Sequence, residues 1–308
     1  MPFNTLVVLG PTASGKTRLG VALARRLNGE ILSADSRQVY RGLDIGAGKD
    51  LAEYARGGKP VPYHLIDVAG VDREYSVFDF QQAGFAAWQD IRRRGRLPVI
   101  VGGSGLYLEV LLSPARMVPA PPDPVRRRKL EAMTASALEA RLRALKGSLH
   151  NTTDTGTRAR LIRAVEIAEA EGKTQPAQAP PVAARVVGLD WPRPALRERI
   201  RRRLEERLDH GLLEEIEELH TRGVSWERLR RLGLEYRFGA DFLTGAIPSR
   251  KLLADRLAHA IADFAKRQAT WFRRMERRGV RIQWLDGPRA AADPAAAAEE
   301  VAEKCEES

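Results

Sequence analysis

The chain carries a single cysteine, Cys305, in 308 residues. That excludes an internal disulfide and a zinc cluster built on thiolates, and it points to a reducing compartment, the cytoplasm. No apolar run approaches the roughly 18 to 20 residues that cross a bilayer as a helix, so a membrane partner is not expected. The opening Met1-Pro2-Phe3-Asn4 has no basic segment before an apolar one, which argues against a secretory leader. Internal repeats are absent, which sets solenoids aside.

What is present fits a soluble globular protein. Hydrophobic residues make up 44% and charged residues 30%. The length allows one large core, with or without a smaller domain. Net charge is +11, from 51 Lys+Arg against 40 Asp+Glu. Arginines cluster at 92–94, 126–128, 201–203, 228–231 and 273–278. Such a balance suits a polyanion such as nucleic acid, but solvated helix faces would give the same count. Charge alone leaves both open.

Short apolar runs alternate with helical patterns. Thr5–Leu9, Glu30–Ala34, Pro62–Val68 and Leu97–Val101 read as strands. Lys16–Leu27, Tyr75–Arg94 and a segment from Leu106 read as helices. The alternation predicts an α/β fold, a parallel sheet with helices on both faces. In such folds phosphates lie beyond the carboxyl ends of the strands, where Gly10, Asp35 and Gly102 all fall. Prolines 114, 119, 121, 122 and 124 then mark a change. Residues 113–184 read as a small, mostly helical insertion, with helices at Val125–Leu145 and Thr157–Glu171. Residues 1–112 and 185–308 would form a discontinuous core. In its second half, Arg185–Leu189 reads as a strand, Ala195–Arg222 and Lys251–Arg278 as helices, and Arg281–Leu285 as a last strand. Ala290–Ser308 reads as a helical or frayed tail.

One motif carries explicit chemistry. Gly10-Pro11-Thr12-Ala13-Ser14-Gly15-Lys16-Thr17 follows a strand, opens a helix and matches the phosphate-loop pattern in full. Its glycines let backbone N–H groups converge on an anion, and the helix adds its positive end. Lys16 reaches phosphate oxygens, and the Thr17 hydroxyl can ligand Mg²⁺. An ordinary glycine turn would leave Lys16 without a reason. By itself the motif says diphosphate, most often as ATP or GTP.

Further segments come in order: Ser33-Ala34-Asp35-Ser36-Arg37-Gln38-Val39-Tyr40, Leu43-Asp44-Ile45-Gly46, His64-Leu65-Ile66-Asp67, Tyr75-Ser76-Val77 with Asp79-Phe80, Val101-Gly102-Gly103-Ser104-Gly105-Leu106-Tyr107, and Ala265-Lys266-Arg267-Gln268 with Thr270-Trp271-Phe272-Arg273. With the phosphate loop, this set resembles the tRNA dimethylallyltransferase family, densely over residues 5 to 112 and more thinly over 196 to 286. The resemblance implies transfer of a dimethylallyl group from dimethylallyl diphosphate to the exocyclic N6 amine of the adenosine 3′-adjacent to the anticodon in tRNA. Loop 10–17 would then hold the donor's diphosphate, with Mg²⁺ as cofactor. The acting unit would be a monomer on the tRNA anticodon stem-loop.

The resemblance also distributes roles. Asp35 would orient the amine and take its proton, although the same residue could serve as a helix cap or stand behind Mg²⁺. Ser104 stands where the family has threonine and would contact diphosphate or acceptor, unless it only caps a turn. Arg237 would help hold diphosphate, unless it is a surface ion pair. Asp35–Gln38 (Asp35, Ser36, Arg37 and Gln38), Ser104, Arg126, the segment Ala159-Arg160-Leu161-Ile162-Arg163 and the segment Leu232-Gly233-Leu234-Glu235-Tyr236-Arg237 would meet tRNA. Arg160 and Arg163, three residues apart, would share a helix face. Lys266, Arg267, Trp271 and Arg273 fall near these sites, with Trp271 and Phe272 read as core. Departures from the family are Glu235 for glycine, Ala47-Gly48-Lys49-Asp50 for Thr-Ala-Lys-Pro, and Thr155-Gly156 for Asn-Asp. A phosphate-loop kinase or NTPase binding ATP, a prenyltransferase of free adenine nucleotides and a non-catalytic nucleic-acid binder remain the alternatives.

Overall fold

The computed structural model describes residues 3–121, 123–147 and 156–306. Met1, Pro2, Pro122, Thr155 and the last two tail residues lie outside the described residues.

In chain order the first part holds β1 (Thr5–Leu9), α1 (Lys16–Arg26), β2 (Gly29–Ala34), α2 (Ala52–Ala55), β3 (Tyr63–His64), α3 (Val77–Arg93), β4 (Leu97–Gly102) and α4 (Gly105–Leu112). Then come α5 (Pro124–Glu131), α6 (Ala135–Lys146) and α7 (Arg158–Glu171). The chain continues with β5 (Ala184–Asp190), α8 (Arg193–Asp209), α9 (Leu212–Thr221), α10 (Trp226–Arg231), α11 (Leu234–Leu243) and α12 (Arg250–Arg277). It closes with β6 (Ile282–Asp286), α13 (Gly287–Ala292) and α14 (Pro294–Glu306).

Two compact units result: Met1–Leu112 with Pro180–Ser308, and Ser113–Ala179. The first contains a six-stranded sheet in the order β3-β2-β4-β1-β5-β6, every pair parallel. Its central strands are apolar on both sides, as a sheet covered on both faces requires. Leu6, Val8, Ile31, Val99 and Val187 meet α1 and α14 on one face. On the other, the Trp88 indole of α3 donates to the Thr5 hydroxyl at 2.8 Å. Helix α3 begins at a full capping box, Ser76 with Asp79.

Three expected elements change. The Ala195–Arg222 helix divides at His210 and Gly211 into α8 and α9. The Pro62–Val68 strand shrinks to Tyr63–His64, because Leu65 (φ 67°) and Asp67 (φ 58°) turn left-handed and cannot extend the ladder. The Val125–Leu145 helix breaks in two, with Thr134 capping the second piece. Of the two readings of the tail the helical one holds among the described residues, and α14 buries Ala298, Val301, Ala302 and Cys305.

The second unit packs α5, α6 and α7 around Leu130, Leu138, Leu142, Leu161, Ile162 and Val165.

Candidate active site

The anion loop leaves β1 at Leu9 and enters α1 at Lys16. Ala13 (φ 61°) and Gly15 (φ 91°) are both left-handed. Glycine adopts this freely, whereas alanine does so at a cost, so the loop needs holding. It is held by residues far along the chain. The Arg199 guanidinium donates to the Ala13 carbonyl at 2.6 Å, and the Trp191 indole donates to the Ser14 carbonyl at 3.1 Å. Gln268 accepts the Thr12 N–H at 2.8 Å and donates to the Gly103 carbonyl at 2.9 Å. One amide thus ties the anion loop to the turn after β4. Gly103 must be glycine for this, since a Cβ there would lie 2.4 Å from the Gln268 nitrogen.

Gln268→Leu leaves the buried Gly103 carbonyl and the part-buried Thr12 N–H unpaired. It is expected to lower stability by about 1–3 kcal/mol per group and to weaken diphosphate binding, as read by chemical denaturation and titration. Intact binding with lost stability would reduce Gln268 to a packing residue.

Lys16 Nζ lies 3.4 Å from the Pro11 carbonyl. Burial pulls its pKa down to about 8; Asp35 opposes the shift and Arg203 adds to it. Asp35 follows β2, whose end pairs in register with the end of β4, Ala34 with Gly102. The Asp35 carboxylate accepts the Arg37 N–H at 2.9 Å through one oxygen. The Ser104 hydroxyl accepts the Ser36 N–H at 3.2 Å. Asp35 thus closes a local turn and caps no helix, and the Ser104 hydroxyl ties the end of β2 to the end of β4 where a local cap on α4 was the alternative; both residues also line a cavity.

That cavity, about 360 Å³, brings together Thr12, Lys16, Thr17, Asp35, Ser36, Arg37, Gln38, Ser104, Gly233, Leu234, Glu235 and Arg237. Arg203, Arg207, Arg230, Arg231 and Arg267 also line it, so eight cationic side chains face two carboxylates. Several are already paired: Arg203 with Asp50, Arg231 with Glu74, Arg230 with Asp241 at 2.7 Å, and Arg207 with Glu235 at 3.7 Å. Burial raises the Glu235 pKa, and Arg207 offsets part of that rise. Arg237 makes no ion pair among the described residues and is exposed.

Some expected tRNA contacts are corrected. Leu232 and Tyr236 are buried, and the Tyr236 hydroxyl donates to Glu215 at 2.6 Å, so neither side chain can meet RNA. Leu161 and Ile162, 2% and 3% exposed, belong to the core of the second unit. Arg163, unlike the exposed Arg160, is half-buried and engaged: it pairs with Glu166 at 3.0 Å and donates to the Ala120 carbonyl at 2.7 Å. Arg126 is ion-paired with Glu169. Ala159 and Arg160 are exposed. Lys266 and Arg273 line a different cavity of about 280 Å³, with Trp191 and Trp284, rather than the one holding Asp35. Trp271 packs on Gly105 under the Arg274 guanidinium, and Phe272 is buried.

Sequence reasoning missed Arg203 and Arg207. They stand four apart on α8, beside the buried Ile200 and Leu204, and that spacing was the available signal. It had no signal for Trp191 or Arg199.

An anion loop and a carboxylate at the carboxyl edge of one parallel sheet define a phosphate-loop group-transfer enzyme. Residues 38–275 match the family model described as IPP transferase, and residues 3–61 match that described as isopentenyl transferase. The chain is 55% identical to tRNA dimethylallyltransferase 2 of Syntrophotalea carbinolica, covering 96% of this chain and 97% of that one. It is 51% identical to tRNA dimethylallyltransferase 1 of Geotalea uraniireducens, covering 98% and 97%. Among solved structures, the full-length tRNA isopentenylpyrophosphate transferase of Bacillus halodurans superposes with a TM-score of 0.67 at 33% identity, covering 99% and 100%. This chain belongs to the IPP transferase family.

Proposed function

We propose that this protein transfers the dimethylallyl group of dimethylallyl diphosphate to the N6 amine of the adenosine 3′-adjacent to the anticodon of tRNA. The observation that carries the reading is one cavity lined both by Thr12, Lys16 and Thr17 of the loop and by Asp35. Loop N–H groups and Lys16 bind the diphosphate. The C1–O bond of the donor breaks as the N6–C1 bond forms, and the N6 proton passes to the Asp35 carboxylate. An adenine amine is a poor nucleophile because its lone pair is delocalised, so a carboxylate that bonds its N–H both aims and activates it. The cations around the cavity stabilise negative charge growing on the departing diphosphate.

The donor set suits Mg²⁺ rather than a metal caged by protein. Among the described residues no three His, Cys, Asp or Glu side chains form a metal cluster. The Thr17 hydroxyl lines the cavity, and an Mg²⁺ ion typically takes one or two protein oxygens with phosphate oxygens and waters. When bound, the ion adds charge stabilisation to the leaving group. One chain carries every group named, so we take the monomer, in the cytoplasm, as the acting unit. No helix among the described residues is long and apolar enough to cross a membrane.

Incubation with labelled dimethylallyl diphosphate, Mg²⁺ and either unmodified tRNA or AMP tests this. Label in tRNA alone is expected. Label in AMP favours a nucleotide prenyltransferase. No transfer, with ATP turnover on a metabolite, sinks the assignment.

We infer that tRNA also meets the second unit through Arg160, which lies in the first turn of α7, exposed and without an ion pair among the described residues. Arg160→Ala is expected to weaken tRNA binding and to flatten its logarithmic salt dependence by about one unit of slope. An unchanged slope places Arg160 off the interface.

A further inference from the structure

Glu215 on α9 has an unusual set of partners for a carboxylate. Among the described residues no lysine or arginine pairs with it. One oxygen accepts the backbone N–H groups of Asp44 at 2.9 Å and Ile45 at 2.7 Å. The other accepts the Gly46 N–H at 3.1 Å and the Tyr236 hydroxyl at 2.6 Å. Three successive amides therefore converge on one anion, as in a backbone anion nest, with the anion supplied by the protein itself.

Within each trans peptide unit the C=O points away from the N–H. The carbonyls behind the Ile45 and Gly46 amides belong to Asp44 and Ile45. They close the turn from the opposite side, accepting Lys49 N–H at 3.2 Å and Gly48 N–H at 3.1 Å. The next carbonyls face cavity-lining side chains: Gly46 O accepts from Arg207 at 3.5 Å, and Gly48 O accepts the Gln38 amide at 3.1 Å. Lys49, fully buried, pins the same turn to Asp44 at 2.6 Å and to Asp67. The hydroxyl end of the Tyr236 ring packs against Gly46, where a Cβ would fall 2.5 Å from it. Burial, then Glu215, keeps the Tyr236 phenol protonated far above its usual range, so it remains a donor.

We propose that Glu215 is a positioning residue for transfer: through the 44–48 turn it sets Arg207 and Gln38 in the wall of the cavity beside Asp35. This rests on the proposed prenyl transfer to tRNA. Glutamine at 215 keeps the shape, halves the acceptor capacity and turns an NH₂ group toward backbone N–H groups.

The test compares the wild-type protein with Glu215→Gln and Tyr236→Phe. Its readouts are amide hydrogen exchange, affinity for inorganic diphosphate, and single-turnover transfer to tRNA per folded molecule. In Glu215→Gln, exchange at Asp44, Ile45 and Gly46 is expected to quicken by about tenfold or more. Turnover is expected to fall by about tenfold, with diphosphate affinity moving by less than about twofold, because the anion loop is untouched. Tyr236→Phe removes one bond of four, so a smaller loss of turnover and faster exchange at Gly46 are expected even if Glu215→Gln fails to fold. Loosened amides with full turnover overturn the inference, as does turnover that falls only with the folded fraction. Unchanged exchange at 44–46 overturns it whatever the substrate. A wild-type protein that prenylates no tRNA sinks the functional reading instead, and exchange still judges the turn.

Discussion

Asp35→Asn is expected to lower prenyl transfer by roughly 10²- to 10⁴-fold, the range for loss of a positioned general base, while donor binding persists. Asparagine is the informative replacement. Its carbonyl oxygen can still accept the Arg37 N–H that Asp35 accepts at 2.9 Å, so the turn after β2 is kept. What it lacks is a site for the amine's proton. Single-turnover transfer with saturating donor measures the loss, and equilibrium titration measures donor affinity. Full turnover in the variant would show that the turn is all Asp35 supplies.

Lys16→Met carries the second large effect, and it is pH-dependent. In the donor-free protein Lys16 titrates at about 8, chiefly because burial disfavours its charged form. A diphosphate favours that charged form. Above pH 8 donor binding is therefore expected to take up a proton, and affinity should fall by up to about tenfold per pH unit. Calorimetry in buffers of different ionisation enthalpy reads the uptake directly, and Lys16→Met should abolish it. Transfer should fall by roughly 10²- to 10³-fold with the loss of charge stabilisation on the leaving group. Stability should move the other way. A lysine whose folded pKa is depressed costs stability where it is charged, below about pH 8, and the cost fades as pH rises toward the unfolded value of 10.5. The methionine variant should therefore melt higher at neutral pH. Lower melting with unchanged proton uptake would contradict the assignment of that pKa to Lys16.

The parts of this site legible in the sequence were those written locally. A strand, glycines and Lys-Thr mark the anion loop within eight residues, and Asp35 and Ser104 each follow a strand at the same edge. Nothing local marks Gln268 as the partner of Thr12, or Arg199 as the partner of Ala13, since such pairings are made by topology. Family correspondence located the α7 segment but not its facing. Along a helix, Arg160 looks outward while Leu161, Ile162 and Val165 turn inward, so five adjacent residues cannot all meet one ligand. The short β3 was misread for a related reason. Apolar content in Pro62–Val68 resembled a strand, and the left-handed turns at Leu65 and Asp67 leave no compositional trace.

The bracing of the anion loop also orders the protein's birth. Residues 1–112 contain the whole phosphate motif and Asp35, yet β1 sits between β4 and β5, and β5 is translated only after the entire second unit. Trp191, Arg199 and Gln268 emerge later still. Contacts of such long sequence separation form late. A nascent chain, or one ended before α12, therefore carries the motif without its Gln268 brace, and the anion loop is fully braced only once the last long helix is in place.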